Sequence, residues 1–358
     1  MSQRLILAIN PGSTSTKFSV FEEDMLLFEK TLRHSADDLK EFDKIADQFN
    51  FRKQLIMDEL SVRKVDLARI VAVVGRGGLI KPIESGIYLV NTRMKEDLKE
   101  GVSGSHASNL GGLIADDIAS QLPNATAYIV DPVVVDELQP VARLSGHPLI
   151  ERRSIFHALN QKAVARLYAS SVSKNYEDMN LIIAHMGGGV SVGAHRKGRV
   201  VDVNNALNGD GPFSPERSGG LPSGQLTDLC FSGKYTYSEI MSMLSGKGGM
   251  VAYLGTNDFI EICKMADDGD EKAQLVREAA SYRIAKEIGA MAVVLEGRVD
   301  AIILTGGLAF QEDNVRSIKS MVGFISDVVV YPGEDELKAL AFNGLLALDG
   351  KITVRVYE

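Results

Sequence analysis

Two stretches of this chain read alike, and their likeness constrains the fold more than any other feature. Leu5 opens LILAINPGSTSTKFSVFEED, and Leu181 opens LIIAHMGGGVSVGAHRKG. Each is an apolar run, a Gly/Ser turn and an alternating run, the pattern of two strands joined by a short connection. When the two are superposed, Gly12 meets Gly188 and Ser15 meets Ser191. The starting points lie about half of the 358 residues apart. Self-similarity at that spacing points to a duplicated domain, and the length itself suggests about two domains. A chance likeness of two hairpins is the competing reading.

The remaining pattern supports two α/β units. Strands are expected at Ile70–Val74, Gly86–Val90, Ala127–Val130, Val299–Leu304 and Val328–Tyr331. Apolar residues three and four apart predict helices at Ala36–Phe49, Ala107–Leu122, Ile155–Val172, Asp270–Leu295 and Leu337–Leu348. Alternating strands and helices give an α/β class. No Pro/Ser-rich linker separates the halves. The expected division is residues 1–152 and 153–336, with a cleft between them and residues 337–358 crossing back onto the first half.

Composition removes other classes. With 47 acidic against 39 basic residues the net charge is −8, which argues against a nucleic-acid partner. No run of 18 apolar residues exists, so no membrane span is expected. Met1-Ser2-Gln3-Arg4 leads straight into LILAI without signal-peptide features, so the expected compartment is the cytoplasm. Cys230 and Cys263 form no CxxC and no zinc spacing, and are expected to be buried, unreactive thiols.

Three turns could carry chemistry. The first is Asn10-Pro11-Gly12-Ser13-Thr14-Ser15-Thr16-Lys17. Gly12 lets backbone approach an anion. The hydroxyls of Ser13 and Ser15 with Lys17 can grip phosphate oxygens, and Asn10 can hold a metal through water. An ordinary polar hairpin turn is the alternative. The second is His185-Met186-Gly187-Gly188-Gly189. Three glycines make sense if something large packs on bare backbone; a tight turn is the alternative, and His185 alone would read as a core histidine. The third is Thr305-Gly306-Gly307 after AIIL, placed where open α/β sheets bind nucleotides. Walker, GxGxxG, zinc-hydrolase and protein-kinase signatures are missing. Arg76, His106, Asp131, His157, Arg217 and the acidic run Glu334–Glu336 sit among strands and turns. Taken singly, each reads as a cap or ion pair. Together they offer the cations and carboxylates that phosphoryl transfer needs.

INPGSTSTK, HASNLGG, VDPVVVDE, RRSIFHALNQ, AHMGGG, ERSGGLP, LTGGLA and PGEDEL, in this order, resemble the acetate/butyrate kinase family across nearly the whole chain. That family belongs to the actin, sugar kinase and Hsp70 superfamily. The resemblance implies two duplicated RNase H-like domains with a nucleotide cleft between them. Three departures from the acetate-kinase pattern bring the chain closer to the butyrate branch: Thr14 in the first loop, Gly188 in the second, and the shorter length. The implied activity is ATP-dependent phosphorylation of butyrate or a similar short-chain carboxylate. Acetate, propionate and isobutyrate are alternatives, as is a non-kinase ATPase or chaperone.

The resemblance also implies site roles. Asn10 and Glu336, with Asp335 the alternative, would hold Mg²⁺. Gly12, Ser13, Ser15 and Lys17 would line the phosphate path. Gly187, Gly188 and Gly189, with His185 beside them, would pack on the β- and γ-phosphates, and Gly306 and Gly307 on the adenosine. His157 and Arg217 would contact the moving phosphoryl group, Asp131 would orient the site, and Arg76 with His106 would bind the acceptor. A homodimer or higher homo-oligomer is implied as well.

Overall fold

The computed structural model describes residues 3–358; Met1 and Ser2, on which part of the signal-peptide expectation falls, lie outside the described residues. The chain forms two compact units. One runs through Val135 and takes back Asp335–Glu358; the other is Asp136–Glu334.

The first unit is built on a mixed sheet. Its core strands are β1 (Leu5–Pro11), β2 (Ser15–Glu22), β3 (Met25–Arg33), β4 (Ile70–Arg76), β5 (Ile87–Leu89) and β6 (Thr126–Val130). The order is β5-β6-β4-β1-β2-β3, and the last strand, Val354–Val356, adds beyond β5. β1 runs antiparallel to β2 but parallel to β4, which is parallel to β6. Every residue of β1 is buried, because both faces of the sheet are covered. Leu5, Leu7 and Ile9 join Ile56 and Leu60 of the helix Phe49–Val62 and Leu110 and Ile114 of the helix Asn109–Ser120. Ile6 faces the other way, toward Gly344 of the helix Glu336–Leu348. Each buried Leu or Ile contributes about 1.5–3 kcal/mol relative to exposure.

The second unit repeats this plan. After a small ribbon of β7 (Leu144–His147) and β8 (Ile150–Glu151) come β9 (Asn180–Met186), β10 (Val190–Arg196), β11 (Arg199–Val203), β12 (Ala301–Gly306) and β13 (Val328–Pro332). The order is β11-β10-β9-β12-β13, with β9 antiparallel to β10 and parallel to β12. That matches β3-β2-β1-β4-β6 in order and direction. The helix Glu271–Val294 covers one face through Ile284, Ile288 and Met291, and Ala158–Ser171 covers the other through Val164, Ala165 and Ala169. The two stretches that read alike in sequence are the first hairpins of the two sheets.

Three expectations change. The apolar period over 36–49 crosses a break: a short helix Ala36–Lys40, a 3₁₀ turn Ile45–Gln48, then the longer helix Phe49–Val62. The passage from the first unit to the second falls after Val135 rather than at 152. Residues 136–152 are bonded into the second unit. Glu137 accepts from Lys162 Nζ at 2.7 Å and Val200 N at 2.7 Å, and Arg152 pairs with Asp202 at 2.8 Å. Cys263 is buried as expected, but Cys230 is exposed, near the end of an open helix Ser223–Cys230. No helix among the described residues is long and apolar enough to cross a membrane.

Candidate active site

In the first unit, three parallel strands end side by side. Asn10 lies one residue from the end of β1, Arg76 closes β4, and Asp131 follows β6; Ile9 pairs with Gly75 and Arg76 with Val130. Carboxyl ends of strands in such sheets are where ligands sit. Asn10 Nδ2 donates to Glu336 Oε2 at 2.5 Å, and Arg76 Nη1 lies 3.1 Å from the same oxygen and 3.3 Å from Asn10 Oδ1. Glu336 is 4% exposed and starts its helix. Glu336, not the exposed Asp335, therefore faces Asn10. Asp131 adopts a positive φ of 36°; its Oδ1 accepts from Ser85 Oγ at 2.7 Å and Gly86 N at 2.8 Å. His106 precedes the helix Asn109–Ser120 rather than heading it, and its Nδ1 accepts from Ser108 N at 3.2 Å.

The first loop has a support that sequence reasoning missed. Arg52, fully buried in the helix Phe49–Val62, donates to the carbonyls of Gly12 at 2.8 Å, Ser15 at 2.9 Å and Ser13 at 3.1 Å. It also donates to Thr16 Oγ1 at 3.0 Å and Gln48 Oε1 at 2.8 Å. Every acceptor is a neutral oxygen. Burial pushes the guanidinium pKa down to about 10, so it stays charged at neutral pH. The loop carbonyls are thus held inward on a cation, while the side chains of Ser13 and Lys17 face solvent.

In the second unit, His185 lies one residue from the end of β9, beside Thr305 of β12. His185 Nδ1 lies 2.8 Å from Asn160 Oδ1, its Nε2 lies 3.2 Å from Glu334 Oε1, and its ring stacks on His157 with centroids 3.7 Å apart. The three glycines come directly after this strand. A Cβ on Gly189 would overlap the Arg217 guanidinium, which donates to Ala206 O at 2.6 Å. The bare backbone thus admits an arginine from the SGG turn. Ser214 Oγ ties that turn to Gly188 O at 2.5 Å. Gly306, at φ 86°, carries no side chain because Met186 O stands where a Cβ would go. Gly307 opens onto free space. A cavity of about 430 Å³ is walled by Gly187, Gly188, Glu216, Phe259, Gly307 and Glu334, among others.

Comparison with known proteins decides what this arrangement belongs to. The chain is 57% identical over 353 residues to butyrate kinase 1 of Clostridium acetobutylicum, covering 99% of both chains. A sequence model described as the Acetokinase family matches residues 141–328. The chain belongs to the acetokinase family. Its fold is that of an acetate kinase from Porphyromonas gingivalis (TM-score 0.78, 20% identity, 96% of this chain and 100% of that one). A propionate kinase from Francisella tularensis superposes similarly (TM-score 0.76, 20% identity, 95% and 98%).

Within this acetokinase chain, the candidate residues gather as two groups, one per unit. Asn10, Gly12, Ser13, Ser15, Lys17, Arg76, Asp131 and Glu336 cluster at the strand ends of the first sheet. His157, His185, Gly187–Gly189, Arg217, Gly306 and Gly307 cluster at those of the second. Among the described residues no group of three or more His, Cys, Asp or Glu is placed to hold a metal. The hard oxygens available beside Arg76 are one carboxylate, Glu336, and one amide, Asn10. That set suits Mg²⁺, which keeps several waters and takes one or two carboxylates plus substrate phosphates.

Proposed function

We propose that this chain is a short-chain carboxylate kinase that transfers the γ-phosphoryl group of ATP to butyrate, reversibly. The observation that carries the reading is 57% identity along 99% of both chains to a butyrate kinase. The candidate residues agree with it chemically. A carboxylate is already ionised at neutral pH, so one of its oxygens attacks the γ-phosphorus without a general base. The new O–P bond forms as the bond to the β,γ-bridging oxygen breaks, and ADP leaves with that electron pair. The protein then supplies positioning and charge.

In this reading the cavity beside Gly187, Gly188 and Gly307 takes the nucleotide, and Gly306 holds the turn beneath it. Gly189, with His185 behind it, keeps backbone close to the phosphates. Arg217 and His157 contact the transferring group, where positive charge and N–H donors count most. Gly12, Ser13, Ser15 and Lys17 line the phosphate path. Arg76 and His106 bind the acceptor carboxylate, and Asp131 orients the strand ends through Ser85 and Gly86. Glu336 and Asn10 would hold Mg²⁺, which would supply charge neutralisation on the phosphates. We further infer a cytoplasmic enzyme; that it works as a homodimer or higher homo-oligomer is an expectation that rests on the family resemblance.

Acetate, propionate and isobutyrate are the competing acceptors. A kcat/KM series across these acids separates them, because one methylene in an apolar pocket is worth about 1–3 kcal/mol. The expected maximum is at butyrate. A maximum at acetate or isobutyrate would reassign the substrate while leaving the phosphoryl chemistry in place.

A further inference from the structure

A buried polar chain runs behind His157 through residues the reaction itself does not use. Ser191 Oγ lies 2.9 Å from His157 Nδ1. Gln161 Nε2 donates to that hydroxyl at 2.9 Å and to the Ser191 carbonyl at 3.1 Å. The carbonyl can only accept, so the Gln161 amide has one possible orientation. Its Oε1, 2.9 Å from His195 Nε2, must then accept a proton from that ring. His195 Nδ1, 2.7 Å from the Tyr176 hydroxyl, is left to accept from it. Gln161, Ser191 and His195 are fully buried and Tyr176 nearly so. Burial also holds the His195 pKa well below its usual value, as a neutral ring in this chain requires. Gly193 makes room for the amide: a Cβ there would stand 2.6 Å from Gln161 Oε1.

The consequence reaches His157. Ser191 Oγ owns one hydrogen. Gln161 donates to the oxygen, and His157 N approaches it at 3.4 Å, so the hydroxyl hydrogen goes to His157 Nδ1. We propose that Gln161, backed by His195 and Tyr176, is a positioning residue that fixes the neutral His157 ring with its proton on Nε2. This deepens the proposed kinase function and rests on His157 as a phosphoryl contact. A ring protonated at Nε2 offers a donor from that edge, whereas the other tautomer would turn a lone pair toward phosphoryl oxygens.

The test is two-bond ¹⁵N–¹H correlation on the full chain with labelled histidine. The chain has 6 histidines, and His157→Gln assigns the signal. Wild type is expected to show the Nε2–H tautomer at His157. Gln161→Met is expected to populate Nδ1–H, with kcat at least tenfold lower and the ATP KM within about threefold. Should Gln161→Met fail to fold, Ser191→Ala must release the same tautomer. A wild-type Nδ1–H form, or a tautomer unmoved in both variants, overturns the proposal. A tautomer that shifts while kcat holds would keep Gln161 as the positioning residue and remove His157 from phosphoryl contact.

Discussion

Arg217 occupies the space that a side chain on Gly189 would fill, so the two residues act as one feature. Arg217→Ala is expected to lower kcat about 100-fold or more, the loss typical of one transition-state donor, and to raise the ATP KM far less. Steady-state kinetics would check this. Gly189→Ala should displace the same guanidinium and reproduce the kcat loss with a thermal midpoint within a few degrees of wild type. Arg52 makes a different prediction. Removing its guanidinium takes the donor from the carbonyls of Gly12 and Ser13 and leaves the Ser15 carbonyl with only Gly12 N. Arg52→Met should therefore destabilise the chain by about 2–4 kcal/mol in urea unfolding. These residues were unequally legible. Arg217 taken singly reads as a cap or ion pair, and it stands out only beside the other motifs, in the glycine-rich turn Ser218-Gly219-Gly220. Arg52 stood in FRKQ, where it reads as helix-surface charge; its burial depends on a loop forty residues away in sequence, which no local pattern encodes.

Among the elements, the hairpins were the most readable. A strand–turn–strand shows itself in consecutive residues, and β1–β2 and β9–β10 pair with the register their turns impose. The helix Phe49–Val62 was hidden because its inward stripe is Arg52, Ile56 and Leu60, with a cation where an apolar residue would signal the face. The apolar period just before it belonged to two different helical pieces. Gly306 shows how an element boundary is held. It sits at φ 86°, and the Met186 carbonyl closes off the place of a Cβ. Gly306→Ala is expected to lose about 2–4 kcal/mol, from strain at a left-handed position plus a backbone collision. Its unfolding midpoint in urea would show this. The helix Asn109–Ser120 lies equally close to its strand: a Cβ on Gly111 would run into the Arg76 carbonyl. The HASNLGG motif therefore carries a packing requirement alongside any ligand role.

For the whole molecule, the duplication is the organising fact. Two sheets share strand order and direction, and each gathers candidate residues at the carboxyl ends of its central parallel strands. The first sheet depends on the far end of the chain. Leu337, Leu340 and Ala341 are buried in the helix that covers β1, and Val354–Val356 pairs with β5. A chain ending at residue 334 is expected to lose the cooperative unfolding of the first unit. Differential scanning calorimetry against the full chain would check this. The sequence anticipated that helix crossing back, but placed the passage between units at 152, because the ion pairs and backbone bonds binding 136–152 to the second unit have no local signature. A carboxylate kinase must make an acyl phosphate. Hydroxylamine trapping with Mg²⁺, ATP and butyrate reads that product. Butyryl hydroxamate should accumulate in step with ADP, and should vanish when the acid is left out. ADP released at the same slow rate with every short acid, and no hydroxamate from any of them, would contradict the account.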